Sequence, residues 1–226
     1  MRLEATSRLS ILSWLTLPRP TINSTALYLQ PTHMAVWTVG ELHISLISLE
    51  MALTTLFRFD YFLSELLSPD DLLAPTRLAQ ATLYEHWKGY APPGSCTLVP
   101  LDGSVCKDNS HGCAFIALCP TMRIPEDVAI VWNREIVYNC VWSLLIALEQ
   151  HNRVVELSGD GTSIRRILMT GLAMGVGNVS PQRCAQQMAL AVRYFIDTSQ
   201  NVGKWRCMEW NDAVDYAHDC RRTHQL

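Results

Sequence analysis

The pattern of apolar and polar positions predicts strands and turns most clearly in the second half of the chain. Short apolar runs lie at residues 96–101 and 114–119, and the first ends in the turn residues Asp102 and Gly103. Both runs have the length and composition of strands, and the second is apolar enough for a central strand. Residues 164–170 predict another buried strand.

Helical spacing separates these runs. Residues 68–89 predict a helix with Ser68 as its N-cap, and a second helix extends from an N-cap at Asn133 to a close at Asn152. Ser180, followed by a proline, opens a third helix. One face of that third helix carries four apolar or weakly polar side chains: Cys184, Met188, Ala191 and Phe195.

The order strand, strand, helix, strand, helix predicts an α/β fold in which helices layer a sheet. Residues 38–62 fit a strand followed by a helix, and periodicity alone does not separate the two structures in so short an apolar segment. Near the end of the chain, Trp205 and Trp210 predict a helix whose rings pack against the domain.

Composition restricts the class of protein. The chain has 226 residues, 49% of them hydrophobic and 17% charged, with a net charge of −3, which predicts one soluble domain with a sizeable core. No dense cluster of Lys and Arg indicates nucleic-acid binding, and no apolar run approaches the roughly 18 to 20 residues that cross a bilayer. We expect a monomer without nucleic-acid or membrane partners.

Cysteine and glycine are concentrated in the second part of the chain. All eight cysteines lie between Cys96 and Cys220, none in a C-x-x-C pair, and ten of the eleven glycines lie at or after Gly89. This cysteine pattern predicts reduced thiols and a cytoplasmic or nuclear protein. The trio Cys106, His111 and Cys113 fits no zinc spacing, so we expect no metal and no cofactor.

The most informative segment is the sequence GLAMGVGNVSP at residues 171–181, which leads from a predicted strand into a predicted helix. Glycines allow close backbone approach and positive φ, and a helix N-terminus offers free N–H groups to a phosphate. The segment lacks the Lys and Ser/Thr of a Walker loop and only half fits the dinucleotide fingerprint. It therefore predicts an anion site, with a ligand-free turn as the alternative.

Five motifs in order resemble one family. They are APPGSCTLVPL at 91–101, CPTMRIPEDV at 119–128, YNC at 138–140, GLAMGVG at 171–177 and CAQQMALA at 184–191. Together, residues 91–198 resemble the macro-like branch of the macro domains.

The resemblance implies a three-layer α/β/α fold around a mixed β-sheet, with a cleft for ADP-ribose or an ADP-ribosylated protein. In such a domain one glycine-rich loop would wrap the diphosphate and a second loop would line the cleft. The matching residues here are Gly171, Ala173, Gly175, Val176, Gly177 and Asn178 for the first loop, and Pro120, Thr121 and Met122 for the second.

The first part of the chain departs from the family. The Gly-Asp-Ile strand end, the Asn-rich loop and the Gly-Gly stretch of macro domains have no match before Pro69, and Gly40-Glu41-Leu42 is the nearest echo. We therefore expect atypical or missing N-terminal strands and divide the chain into an atypical segment, 1–57, and a macro-like domain, 58–226.

This departure favours a binding protein over an enzyme, because the missing Asn/Gly loop would position the water for hydrolysis. Asp102, Asp108 and His111 are possible substitutes, whereas His151 at a helix end and Asp160 in a flexible loop are not. The alternatives are a degenerate macro fold that serves as an interaction module, and a hydrolase of ADP-ribosyl or ADP-ribose phosphate groups.

Overall fold

The computed structural model describes residues 33–37, 59–123, 127–128 and 134–225. Its elements, in chain order, are β1 His33–Trp37, α1 Phe59–Leu67, α2 Ala74–Trp87, β2 Thr97–Pro100, β3 Cys113–Leu118, α3 Ile136–Ser158, β4 Arg166–Leu168, α4 Pro181–Gln200, α5 Val202–Arg206, α6 Trp210–Arg222 and the 3₁₀ turn Thr223–Gln225. This mixture of helices and strands confirms the predicted α/β class. Within the described residues, no helix combines the length and the apolar character needed to cross a bilayer.

The described strands form one mixed sheet in the order β2-β3-β1-β4. β2 runs antiparallel to β3, and β1 runs parallel to both β3 and β4. β1 lies inside the segment 1–57, so this segment contributes a strand to the interior of the sheet. Because β3 and β4 point the same way, the residues that follow them lie at the same edge of the sheet.

Alternation along β3 divides the buried side chains into two clusters. Ile116 and Leu118 pack with residues of α1 and α2, whereas Ala117 and the adjacent Cys119 pack with residues of α3 and α4. All four are fully buried. The prediction of a central strand at 114–119 is therefore confirmed, with bounds shifted by one residue.

The predicted strand at 164–170 is much shorter than expected. β4 spans three residues, Arg166 and Leu168 are exposed, and Ile164, which precedes the strand, is the buried residue. In the described sheet β4 pairs with β1 alone. An edge position with one partner explains why the apolar run is neither long nor buried as a strand.

Two predicted helix starts are wrong. Ser68 donates its N–H to the carbonyl of Ser64 at the end of α1, and α2 begins only at Ala74, after Asp71 has accepted the N–H of Leu73. Asn133 lies outside the described residues, and the N-cap of α3 is Glu135, whose side chain makes no capping hydrogen bond.

The predicted end of α3 is also wrong. The helix continues past Asn152 to Ser158 and ends at Gly159, which has a φ of 68°. Asn152 instead hydrogen-bonds both backbone groups of Ile164, at 2.7 and 2.9 Å. His151 is therefore an internal residue of the helix, with its ring edge-on to Phe115 at 4.8 Å.

A glutamine from α4 supplies the missing cap of α3. Gln187 is completely buried, and its Oε1 accepts the N–H of Tyr138 in the first turn of α3 at 3.2 Å. Its Nε2 donates to the carbonyl of Arg134 at 2.7 Å and to the hydroxyl of Thr223 at 3.0 Å. One side chain thus joins α3, α4 and the C-terminal turn.

The C-terminal aromatic prediction holds for one of its two residues. Trp205 stacks on Tyr216 at 4.8 Å and lies 6.0 Å from Trp142 of α3. Trp210 is 81% exposed and packs against no core cluster. The difference follows from position, because Trp210 begins α6 on the solvent side.

We expect Gln187→Leu to destabilise the protein by about 2 to 4 kcal/mol, because it removes three hydrogen bonds and leaves buried backbone groups unpaired. Urea unfolding of this variant and of the exposed Gln182→Leu on the same helix measures the effect. The control should change the free energy of unfolding by less than about 0.5 kcal/mol. Equal stability of the two variants would contradict the capping role.

Candidate functional site

The segment that precedes α4, residues 171–178, forms a compact loop that we call the glycine loop. Asn178 donates its N–H to the carbonyl of Gly175, and Val179 donates to the carbonyl of Ala173, both at 3.0 Å. Ser180 then caps α4 as predicted, accepting the N–H of Arg183 at 3.2 Å. Among the described residues, no acceptor engages the N–H groups of Gly175, Val176 and Gly177.

The left-handed conformations of the loop do not fall on its glycines, contrary to the sequence-based expectation. Ala173 has a φ of 56° and Asn178 a φ of 53°. Asn adopts this region with little cost, whereas for Ala it costs on the order of 1 kcal/mol. Burial of Ala173 in the core cluster with α3 and α4 holds it in this conformation. Strain of this kind is concentrated at ligand-binding and active-site segments of proteins.

The two central glycines of the loop have different surroundings. A Cβ placed on Gly177 would lie 2.7 Å from the carbonyl oxygen of Ala173 and 3.0 Å from Cε of Met122. A Cβ placed on Gly175 would meet nothing within 4 Å. Gly177 is therefore required by packing, and Gly175 faces open space.

The second predicted loop lies against the first. Met122 packs in the same cluster as Leu172, Ala173 and Val179, and its Cε approaches Gly177. Pro120, Thr121 and Met122 are all buried. Their backbone is anchored, since the carbonyl of Pro120 accepts the N–H of Gly94 at 2.8 Å. The structure thus brings the two predicted loops together, and of their residues Gly171, Gly175, Val176 and Asn178 are exposed.

A carboxylate that sequence reasoning missed also borders the glycine loop. Asp127 accepts a hydrogen bond from the side-chain amide of Asn178 at 2.9 Å. Fifty-one residues separate the two in the chain, so no local pattern indicated the pair. The motif CPTMRIPEDV contains Asp127 and was the available signal. Its negative charge opposes an anion at the exposed side of the loop.

Positive charge collects at the base of α4. Arg183 in the first turn donates to the carbonyl of His224 at 3.0 Å. Burial lowers the pKa of His224, and the guanidinium groups of Arg183, Arg134 and Arg221 lower it further. Glu135 lies 3.9 Å from His224 and interacts with Arg221, so it partly balances these cations. The positive end of the α4 dipole favours an anion near the start of the helix.

The other candidate groups lie elsewhere. Asp102 forms an ion pair with Lys107 at 2.7 Å in the turn that precedes β3, and Asp108 and His111 belong to the same turn. β3 separates this turn from Pro120 by roughly 17 to 20 Å, the length of six residues in a strand. These three groups therefore lie away from the glycine loop.

The remaining sequence candidates have structural roles. Within the described residues, no group of His, Cys, Asp and Glu is arranged to hold a metal ion. Asn109 organises the segment between Cys106 and Cys113, donating to both of their carbonyls and accepting the N–H of Cys113. His151 contacts the carbonyl of Thr162 at 3.0 Å, and Asp160 is exposed beyond the end of α3.

A surface groove of about 410 Å³ lies between α4 and α6, away from the glycine loop. Its lining includes Ala189, Leu190, Arg193 and Arg222. Arg222 is already paired with Asp219 at 3.1 Å. The groove is shallow and mainly apolar, so the hydrogen-bonding groups at the glycine loop identify the better candidate site.

Comparison with known proteins adds little to this geometry. Neither a protein-family profile nor a curated protein matches the sequence. Among solved structures the chain is similar to a variant macrodomain from Oceanobacillus iheyensis, with 13% identity and a TM-score of 0.44, over 74% of this chain and 67% of that one. A TM-score of 0.44 is too low to assign a family or a function to this chain.

The different surroundings of the two glycines predict different effects of adding a methyl group. Gly177→Ala should destabilise the protein by about 1 to 3 kcal/mol, because the new Cβ overlaps the backbone of Ala173. Gly175→Ala should be nearly neutral. Thermal unfolding monitored by circular dichroism compares the two variants. A Gly177→Ala protein as stable as Gly175→Ala would show that the loop packs differently.

Proposed function

We propose that the protein binds ADP-ribose, free or attached to another protein, through the glycine loop, as a reader in a three-layer, macro-like fold. The observation that carries the proposal is the row of N–H groups at Gly175, Val176 and Gly177, which the loop's own hydrogen bonds leave unused. Such a row at the start of a helix is suited to a diphosphate.

Three further features support an anion at this position. The loop contains a strained left-handed Ala173, held by core packing. It leads into α4, a helix of 20 residues whose first turn carries Arg183. It also lies beside Met122, so an apolar surface borders the polar backbone. An apolar wall with a few convergent donors is the usual composition of a nucleotide pocket.

The first test measures binding by calorimetry with the full chain, using ADP-ribose, ADP and NAD as separate titrants. Gly175→Glu should weaken ADP-ribose binding by at least about tenfold, because a carboxylate then occupies the open side of the loop. Gly175→Gln has the same size without the charge and should bind more tightly than Gly175→Glu. Gly175→Ala should retain wild-type affinity.

The outcome that overturns the proposal is specific. If the folded wild-type protein gives no heat with any of the three titrants over a range of temperatures, the glycine loop is not a nucleotide site. Equal affinities of Gly175→Glu and Gly175→Ala for ADP-ribose would show that the ligand binds elsewhere on the protein.

Asp127 favours the second candidate, an interaction module that has lost nucleotide binding. Its carboxylate lies at the loop, where a diphosphate would meet like charge. Under the binding proposal this charge reduces affinity without abolishing it, and under the second candidate it contributes to the loss of binding.

Asp127→Asn separates these possibilities. The amide oxygen can still accept from Asn178, so the loop should keep its conformation while one negative charge is removed. We expect the affinity for ADP-ribose to rise about two- to fivefold at low ionic strength, with a smaller gain at high salt. Calorimetry at two salt concentrations measures the change. An unchanged or weaker affinity would show that the carboxylate of Asp127 does not repel the bound ligand.

A further inference from the structure

Three cysteines, Cys96, Cys119 and Cys140, lie close together next to the loop formed by residues 120–122. Cys119 and Cys140 are buried and Cys96 is half-buried, and all three are free thiols that pack on the α3–α4 side of the sheet. The proposed nucleotide site uses none of them.

The strand register places Cys96 opposite Cys119. β2 and β3 pair antiparallel with Thr97 opposite Leu118, so the next pair outward is Cys96 with Cys119. Leu101 donates its N–H to the carbonyl of its partner Ala114 at 2.9 Å, which marks that pair as hydrogen-bonded.

Hydrogen-bonded and non-hydrogen-bonded pairs alternate along an antiparallel ladder. Counting from Leu101, Cys96 and Cys119 fall on a non-hydrogen-bonded pair, as does Pro100, which has no N–H to donate. The Cα atoms of such pairs are about 4.5 Å apart, within the range of roughly 4.4 to 6.8 Å that a disulfide spans.

The side chains of Cys96 and Cys119 interact with each other. A hydrogen bond with Cys96, together with burial, raises the pKa of Cys119. The thiol of Cys140 is engaged elsewhere, since it donates to the carbonyl of Pro120 at 3.4 Å. Of the three thiols, Cys96 and Cys119 therefore form the matched pair.

We propose that Cys96 and Cys119 are a redox-sensitive pair that closes to an intramolecular disulfide when the protein encounters hydrogen peroxide. The peroxide transfers one oxygen to the sulfur of Cys96, the more accessible thiol, giving a sulfenic acid and one water. The sulfur of Cys119 then attacks that of Cys96, the S–O bond breaks, and hydroxide leaves as water with the thiol proton of Cys119. The two thiols lose two electrons, and the peroxide is reduced to two waters.

The bond would join two segments that already touch. Gly94, in the turn before β2, donates its N–H to the carbonyl of Pro120, and its own carbonyl accepts from Ser143 of α3. A covalent link one residue away from Pro120 would fix the 120–122 loop against this turn. The buried thiol of Cys119 is rarely ionised, so closure should be slower than for two exposed cysteines.

The test oxidises the reduced full chain with hydrogen peroxide, blocks the remaining thiols and maps the peptides by mass spectrometry without reduction. Cleavage after Lys88, Lys107 and Arg123 should release residues 89–107 joined to residues 108–123, and dithiothreitol should separate them. Two of the eight thiols should be lost to alkylation.

Variants assign the crosslink, because each of these peptides contains a second cysteine. Cys96→Ser should abolish it and Cys113→Ala should leave it intact, while Cys119→Ala should leave Cys96 to oxidise to the sulfinic acid. Circular dichroism of each reduced variant verifies the fold.

Two results would overturn the proposal: a wild-type protein whose Cys96 is over-oxidised without a crosslink, or a crosslink that survives in folded Cys96→Ser. The measurement uses no nucleotide, so its outcome is independent of the proposed binding function.

Discussion

The burial of β3 on both faces is the constraint on which the rest of the structure depends. Its alternate side chains enter two separate clusters, one with α1 and α2 and one with α3 and α4. β2 and β1 pair with its two edges. Because β3 is packed on both faces and paired at both edges, its position in the fold is fixed. Pro120–Met122 follow its carboxyl end directly, so their position is fixed as well. β1 pairs parallel with both β3 and β4, so these two strands point the same way. The glycine loop, which follows β4, therefore lies at the same edge of the sheet as Pro120–Met122.

The glycine loop shows how core packing supports an unfavourable backbone. Ala173 occupies a left-handed conformation, and Gly177 is packed so closely that it has no room for a side chain. The cost of both is offset by the cluster below, in which Leu172 and Val179 are buried. The inner side of the loop is packed, whereas Gly175 and Val176 are exposed and their N–H groups have no acceptor among the described residues. Free donors on a packed loop are expected of a preorganised anion site.

Much of the α/β architecture could be predicted from local patterns. The strand after Gly94, the central strand at 114–119, the Ser180 cap and the apolar face of α4 all follow from apolar spacing and turn residues. The start of α2 was misplaced through local contacts of Ser68 and Asp71, whereas the errors at both ends of α3 occurred where a distant residue decided the outcome. α3 begins without a side-chain cap of its own because Gln187 satisfies its first turn, and it passes Asn152 because that side chain bonds to Ile164. The pairing of Asp127 with Asn178 is of the same kind.

By itself, the sequence determined the strands near 96–101 and 114–119, the helix that Ser180 caps and which loop carries the glycines, because these depend on spacing and on side chains close in the chain. Tertiary structure alone decided that Gly177 serves packing while Gly175 faces outward, that Asp127 borders the loop, and that Cys96 lies opposite Cys119. It also decided that a strand from the first 57 residues lies inside the sheet. The pairings of Asp127 with Asn178, Cys96 with Cys119 and β1 with β3 join residues far apart in the chain, and local periodicity carries no information about such contacts.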